Sequence, residues 1–216
     1  MHKAVTVDLE KDILSANKEL AEQNKALLDE HDVRSYDFLG AVGSGKTLII
    51  ERLVERLKAK GKRCAAISGD VSGDDDYRRF VSHGIPSANV STGKECHLDA
   101  HLVDHALEAL PLDNLDYLFI ENVGNLVCPV DFPVGSHVRV VVISVTEGDD
   151  MVRKHPAIFA FSDVIIINKI DLADAMDIDP KTLEDDARKT NPDAKIVAMD
   201  ARHETGVDDL LSALEL

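Results

Sequence analysis

The residues Gly40-Ala41-Val42-Gly43-Ser44-Gly45-Lys46-Thr47 read G-x-x-x-x-G-K-T, the spacing of a phosphate-binding loop. Glycines let such a loop turn tightly, so that successive backbone N–H groups point at phosphate oxygens. Gly40, Val42, Gly43, Ser44 and Gly45 would form that cradle. Lys46 offers a point charge for the β- and γ-phosphates, and the Thr47 hydroxyl is placed to reach Mg2+. The plainer alternative, a glycine-rich turn that only caps a helix, leaves the Lys-Thr pair unexplained.

Other residues complete this chemistry. An apolar run, Leu115 to Ile120, ends in Glu121, where a buried parallel strand would present a carboxylate to Mg2+. Asn122-Val123-Gly124 follows, and the Gly124 N–H could sense a γ-phosphate. Asp70 stands at another strand end, before the acidic loop Ser72 to Asp76. We rank Asp70 first and Asp76 second as further Mg2+ ligands, against the alternative of a solvated acidic turn. Asn168-Lys169-Ile170-Asp171 follows the run Val164 to Ile167 and has the form N-K-x-D. Asp171 can accept from the ring N–H and the exocyclic amine of guanine together, a donor pair adenine lacks. Asn168 offers its amide to another edge of the base, and the Lys169 stem can lie along the base face. A backbone N–H near Ala201 is placed for the guanine oxygen. The expected nucleotides are therefore GTP and GDP.

A second constellation is Cys96, His97 and Cys128. Two thiolates and an imidazole suit Zn2+, and Ni2+ where geometry permits. Three unrelated residues would be the alternative. Cys96 is expected near a helix start, where a thiolate is stabilised. His97, His101 and His105 fall four apart on one face of that helix; the alternative is an uncoupled row of exposed histidines, and it is the preferred reading of His105. Cys64 lies among apolar residues and reads as an inert core thiol.

Elements must position these residues. Residues 8 to 30 predict one amphipathic helix through Leu9, Ile13, Leu20, Leu27 and Leu28. Tyr36 to Leu39 predicts a strand before the phosphate loop, and Leu48 to Leu57 the helix after it. Further strands are expected over 63–68, 115–121, 137–145, 164–167 and 195–199, with a closing helix through Val207 and Leu214. We divide the chain into an N-terminal helical extension, 1–33, and a nucleotide-binding domain, 34–216.

The chain has 216 residues, 44% hydrophobic and 30% charged, with a net charge of −16. That is one α/β domain in size. The negative charge argues against nucleic acid and against anionic lipid. No apolar run is long enough to span a bilayer, and Met1 to Val5 shows no apolar signal core. We expect a cytoplasmic protein with free thiols.

Gly-Ser-Gly-Lys-Thr at 43–47, Cys-His-Leu-Asp-Ala-His at 96–101, Glu-Asn-Val-Gly-Asn-Leu-Val-Cys-Pro at 121–129, Thr-Glu-Gly-Asp-Asp at 146–150 and Asn-Lys-Ile-Asp at 168–171 together resemble the HypB family. Those are the GTPases of nickel insertion into [NiFe] hydrogenase, and the resemblance covers nearly the whole chain. It implies an α/β P-loop NTPase of SIMIBI type, with a mostly parallel sheet between helices. It implies a Mg2+-dependent GTPase that forms a homodimer in the GTP state. Nickel or zinc would be held by Cys96, His97 and Cys128, with His101 a candidate further ligand. The implied partners are a HypA-type metallochaperone and the hydrogenase large-subunit precursor. The sequence departs from the family in lacking a Cys-x-x-Cys nickel motif and a His-rich tract, and in Asp200 to Gly206, where the family usually has Ser-Ala-Lys-Thr-Gly. The related urease accessory GTPases carry Cys-Pro-His, whereas Val130 follows Cys128-Pro129 here. An ATP-dependent kinase is disfavoured by the N-K-x-D run. A metal-binding scaffold with an inert nucleotide pocket would show no hydrolysis.

Overall fold

A computed structural model describes residues 2–93 and 95–216, with side chains from residue 11 onward. Leu9 and the Met1 to Val5 stretch lie outside the described side chains.

The first helix, α1 (His2–Glu30), begins earlier than periodicity suggested. It leads through Val33 into β1 (Arg34–Gly40), and the phosphate loop connects β1 to α2 (Lys46–Ala59). Helix α2 buries Ile49, Ile50, Leu53, Val54 and Leu57, the apolar stripe expected of a helix packed on a sheet. Next come β2 (Cys64–Asp70), α3 (Asp75–Ser82), β3 (Ser87–Ser91) and α4 (Ala100–Glu108). Strand β4 (Tyr117–Glu121) and β5 (Val138–Ser144) follow, then the short α5 (Met151–Lys154) and α6 (Pro156–Ala160). Strand β6 (Val164–Asn168), α7 (Ala173–Met176), α8 (Pro180–Thr190), β7 (Lys195–Ala198) and α9 (Val207–Leu214) complete the chain.

The seven strands form one sheet in the order β3-β2-β4-β1-β5-β6-β7, and every pairing is parallel. Alternate residues feed opposite faces, as the pleat requires. Tyr36, Phe38, Phe119, Val140, Val142 and Ile166 pack under α2, α3 and α9. On the other face, Ile67, Leu118 and Ile120 meet α1 and α4. Val141, Ile143, Ile165 and Ile167 meet α5 to α8. Burial on both faces explains why the central strands read as unbroken apolar runs. Because all strands run one way, the phosphate loop, Asp70, Glu121 and Asn168 emerge along one edge, where parallel sheets collect ligands.

Two expectations need correction. Strand β3 was not foreseen. It is an edge strand whose only buried residue is Val90, so Ser87-Ala88-Asn89-Val90-Ser91 carries no apolar signature. Helix α4 starts four residues after Cys96, because the Asp99 side chain accepts from Leu102 N at 2.8 Å and caps it. Cys96 and His97 therefore lie in the loop before the helix.

Helix α1 is held by polar contacts as well as by Leu28. Asn17 Oδ1 accepts from Ala100 N at 2.8 Å, and Asn24 Nδ2 donates to Ala100 O at 2.8 Å. Asn17 Nδ2 also donates to Pro133 O, at 2.9 Å, and Asn24 Nδ2 to Val134 O, at 3.1 Å. Gly135 permits this approach. A Cβ there would sit 2.7 Å from Asn24 Cβ and 3.1 Å from Lys25 N.

Candidate functional site

The phosphate loop folds as its glycines dictate. Gly43 and Gly45 take left-handed φ values of 80° and 106°, conformations that a side chain would strain. Ser44 N donates to Ala41 O at 3.2 Å, closing the turn. Helix α2 begins at Lys46, so its unpaired N–H groups face the loop. Lys46 is buried, and its Nζ donates to Gly40 O and Ala41 O at 3.1 and 3.2 Å. Burial lowers its pKa, while Glu121, Asp76 and Glu147 pull the other way.

The Thr47 hydroxyl lies within hydrogen-bond distance of two carboxylates: Asp76 Oδ1 at 2.8 Å and Glu121 Oε1 at 2.9 Å. Glu121 Oε2 is buried without a partner. Burial and then the Asp76 charge push the Glu121 pKa up to about 7. A hydroxyl, two carboxylates and an orphaned carboxylate oxygen make a hard, oxygen-rich donor set of the kind Mg2+ takes. Asp76, not Asp70, reaches Thr47, because α3 begins at Asp75 and carries Asp76 inward. Arg79 on the same helix fixes that position by donating twice to Glu51 of α2, at 2.8 and 2.6 Å. Asp70 lines the same crevice, and its carboxylate lies against the Gly73 backbone.

On the base side, Asn168 is buried and its amide is used at both ends. Nδ2 donates to Ser44 O at 2.9 Å, and Oδ1 accepts from Ala201 N at 3.2 Å. The two groups expected on the base thus pair with each other and with the phosphate loop. Lys169 has a φ of 61°, and its Nζ donates to Gly43 O at 2.6 Å. Asp171 is exposed, with His203 Nδ1 at 3.9 Å from its Oδ2. His203 Nδ1 also meets Asp200.

The crevice is about 480 Å3 and is lined by Val42, Lys46, Thr47, Asp76, Glu121, Gly124 and Cys96. Cys96 is where the second constellation begins. The ligand atoms of Cys96, His97 and Cys128 lie within 4.8 Å of one another. The Cys96 thiol donates to Cys128 Sγ at 2.7 Å, and His97 Nδ1 is 3.9 Å from Cys96 Sγ. His97 is buried, its ring centroid 4.0 Å from that of Phe132. Burial lowers its pKa, which favours the neutral, ligating imidazole. Neighbouring residues on a helix point apart, and the loop position of Cys96 and His97 lets both face one centre. The same position deprives its thiolate of the helix end, and the shared hydrogen with Cys128 raises its pKa instead of lowering it. His101 lies outside this cluster and faces His105 on α4, ring centroids 4.5 Å apart.

Sequence reasoning missed four polar residues around the site. Asp37 is buried in β1, where burial pushes its pKa up to about 6. An acid inside an otherwise apolar strand was the available signal. Asn122 Nδ2 donates to Asp37 Oδ1 at 3.2 Å, and Asn122 Oδ1 accepts from Leu98 N at 2.9 Å. Asn125 lies between the phosphate loop and Cys96. Glu147 has both carboxylate oxygens buried without partners, and burial pushes its pKa up to about 7.

Residues 36–198 match the family model for the CobW/HypB/UreG nucleotide-binding domain. The chain is 54% identical to the probable hydrogenase maturation factor HypB of Methanocaldococcus jannaschii over 215 residues, covering 100% of this chain and 97% of that protein. It superposes on the crystal structure of the hydrogenase maturation factor HypB from Archaeoglobus fulgidus with a TM-score of 0.86 and 47% identity, over 93% of this chain and 98% of that one. HypB from Helicobacter pylori, crystallised in complex with nickel, gives a TM-score of 0.87 at 31% identity, over 93% and 94% of the two chains. Among the described residues, no helix is long and apolar enough to cross a membrane.

Proposed function

Because the chain belongs to the HypB hydrogenase maturation factors, GTPases of the CobW/HypB/UreG family with a SIMIBI-type P-loop fold, we propose that it is a GTP-switched nickel-delivery protein of [NiFe] hydrogenase maturation. One observation carries this reading: Cys96 lines the nucleotide crevice and is also a member of the Cys96–His97–Cys128 cluster.

In this reading the N–H groups of Gly40 to Gly45 and the positive end of α2 receive the phosphates. Lys46 leaves the carbonyls of Gly40 and Ala41 to meet the β- and γ-phosphate oxygens. Thr47, Asp76 and Glu121 would hold Mg2+, with Asp70 at the crevice rim; the ion supplies positive charge at the phosphate oxygens when bound. Gly124 N–H reports the γ-phosphate. Asp171 selects guanine. Lys169, Asn168 and the Ala201 N–H serve the base once Asn168 exchanges its internal partners for it. Cys96, His97 and Cys128 carry Ni2+ or Zn2+ as cargo, since thiolate and imidazole donors suit both. GTP favours a homodimer, which brings two copies of the cluster together about a two-fold axis. The partners in this reading are a HypA-type metallochaperone and the hydrogenase large-subunit precursor, met in the cytoplasm. Residues 1–33 act as a helical extension to the GTPase domain, 34–216.

The test is a titration of Ni2+ and Zn2+ into the GDP form and into the form holding a non-hydrolysable GTP analogue, with mass followed by light scattering. Metal affinity and mass should both change with the nucleotide. Identical values in the two states would reduce the protein to a GTPase with an incidental metal site.

A further inference from the structure

We infer that Asn125 is a positioning residue that transmits the state of the phosphate loop to the metal-binding cysteines. The inference rests on the coupled GTP-and-metal reading above and names the link that reading requires.

The main chain of Asn125 belongs to the nucleotide side. Its N–H donates to Gly40 O at 3.0 Å, and the two residues form an isolated antiparallel bridge. Gly40 is the first residue of the phosphate loop. The preceding residue, Gly124, lies directly on the same loop, because a Cβ there would be 2.9 Å from Val42 N.

The side chain of Asn125 belongs to the metal side. Nδ2 donates to Cys96 O at 3.2 Å, and Oδ1 accepts from Val127 N at 2.8 Å. Val127 immediately precedes Cys128. One planar amide therefore spans the main chain at Cys96 and the main chain next to Cys128, while its own backbone is bonded to the phosphate loop. Asn122 offers an instructive contrast. Its amide binds Asp37 of β1, Leu98 N beside His97, and Val123 N, so it holds the Cys96–His97 segment against the sheet but reaches neither the phosphate loop nor the Cys128 segment.

A displacement of Gly40 to Val42 on phosphate binding thus reaches Asn125 through one hydrogen bond. The amide then moves the two cysteine-bearing segments relative to each other. Coupling between sites is reciprocal, so metal at the cysteines acts back on the phosphate loop by the same factor.

The test measures Zn2+ and Ni2+ affinity by competition with a chromogenic chelator, on the GDP form and on the GTP-analogue form. It compares the wild-type chain with Asn125→Ala and Asn125→Asp. The aspartate keeps the acceptor for Val127 N and loses the donor to Cys96 O. The quantity read is the ratio of affinities in the two nucleotide states, which an effect on stability alone leaves untouched; circular dichroism and thermal unfolding check the fold. The wild-type ratio should fall in the range of about 5- to 150-fold. In both variants it should collapse to within about twofold of unity, the level at which coupling vanishes. A wild-type ratio of one overturns the coupled reading together with this role. A coupled wild type with coupling retained in either folded variant overturns the role of Asn125 alone.

Discussion

Asn168 Nδ2 donates to Ser44 O at 2.9 Å, across 124 positions of sequence. The base-recognition segment and the phosphate loop are thereby one hydrogen-bonded unit before any nucleotide arrives. Asn168 fixes where Asp171 stands relative to the phosphates, and Asp171 itself is exposed, with His203 beside it.

Base choice should therefore rest on Asp171. GTP should compete against a labelled guanine nucleotide better than ATP by about 10^4-fold, as expected where a site built around a donor pair meets a base that lacks it. Asp171→Asn should move the preference toward xanthine nucleotides, whose carbonyl replaces the amine. Equal competition by ATP and GTP in the wild-type chain would remove Asp171 from this role.

Asp76 should matter more than Asp70 for Mg2+-dependent hydrolysis. Asp76 accepts from Thr47 at 2.8 Å, whereas Asp70 turns toward Gly73. Asp76→Asn should raise the Mg2+ concentration for half-maximal turnover by about tenfold or more, one carboxylate interaction being worth on the order of 1.4 kcal/mol. Asp70→Asn should have the smaller effect. A larger loss in Asp70→Asn would restore the order expected from strand ends alone.

Gly124→Ala should weaken nucleotide binding. Its Cβ would meet Val42 Cγ2 and lie 2.9 Å from Val42 N. The first obstacle is a side chain that Val42→Gly removes; the second is backbone and stays. The double variant should recover only part of the affinity, read by fluorescent guanine-nucleotide titration. Full recovery would show that only the valine side chain was in the way.

Asp37 should make stability fall as pH rises. Its pKa is about 6 in the fold against 3.8 ordinarily, raised by burial. Below about pH 4 both folded and unfolded chains hold the proton, and its full stabilising effect is present. Between about pH 4 and 6 the unfolded chain releases it first, so stability is lost up to the folded pKa. The ceiling is about 3 kcal/mol, from a shift of roughly two units. Asp37→Asn keeps an acceptor for Asn122 Nδ2 and should flatten this part of the slope, raising stability at pH 7.5. Urea unfolding of both chains at pH 4.5 and 7.5 measures it; parallel pH dependences would show that Asp37 does not titrate in this range.

The parts of the fold that were legible in the sequence are those buried on two faces. Strands β4, β5 and β6 are runs such as Val164-Ile165-Ile166-Ile167, which only a covered parallel sheet accommodates. Strand β3 was illegible because an edge strand needs few apolar residues, and α4 was placed too early because Asp99 competes with the apolar pattern for the helix start. The same contrast holds at the site. The phosphate loop and the Asn168 to Asp171 run carry their chemistry in contiguous residues. The Cys96–His97–Cys128 cluster was named from its residue types and the family resemblance and is brought together by the fold, whereas the choice of Asp76 depends on how separate elements dock, which spacing along the chain does not encode. Asn125 was hidden for a further reason: its importance lies in a backbone N–H that any residue but proline has, joined to one small amide.

The brackets formed by Asn17 and Asn24 set an order of events during synthesis. Helix α1 is made before its polar partners, which are Ala100, Pro133 and Val134, up to 116 positions downstream. Such distant pairings close late, because the intervening chain must be ordered before they form. The helix then waits with Leu28 uncovered until α4 and the segment after Cys128 have been made, an interval of several seconds or more at about 5–20 residues per second. Docking of α1 thus follows the ordering of the segments that carry Ala100, Pro133 and Val134. Chains that stall before residue 134 carry an exposed amphipathic helix for quality control to recognise.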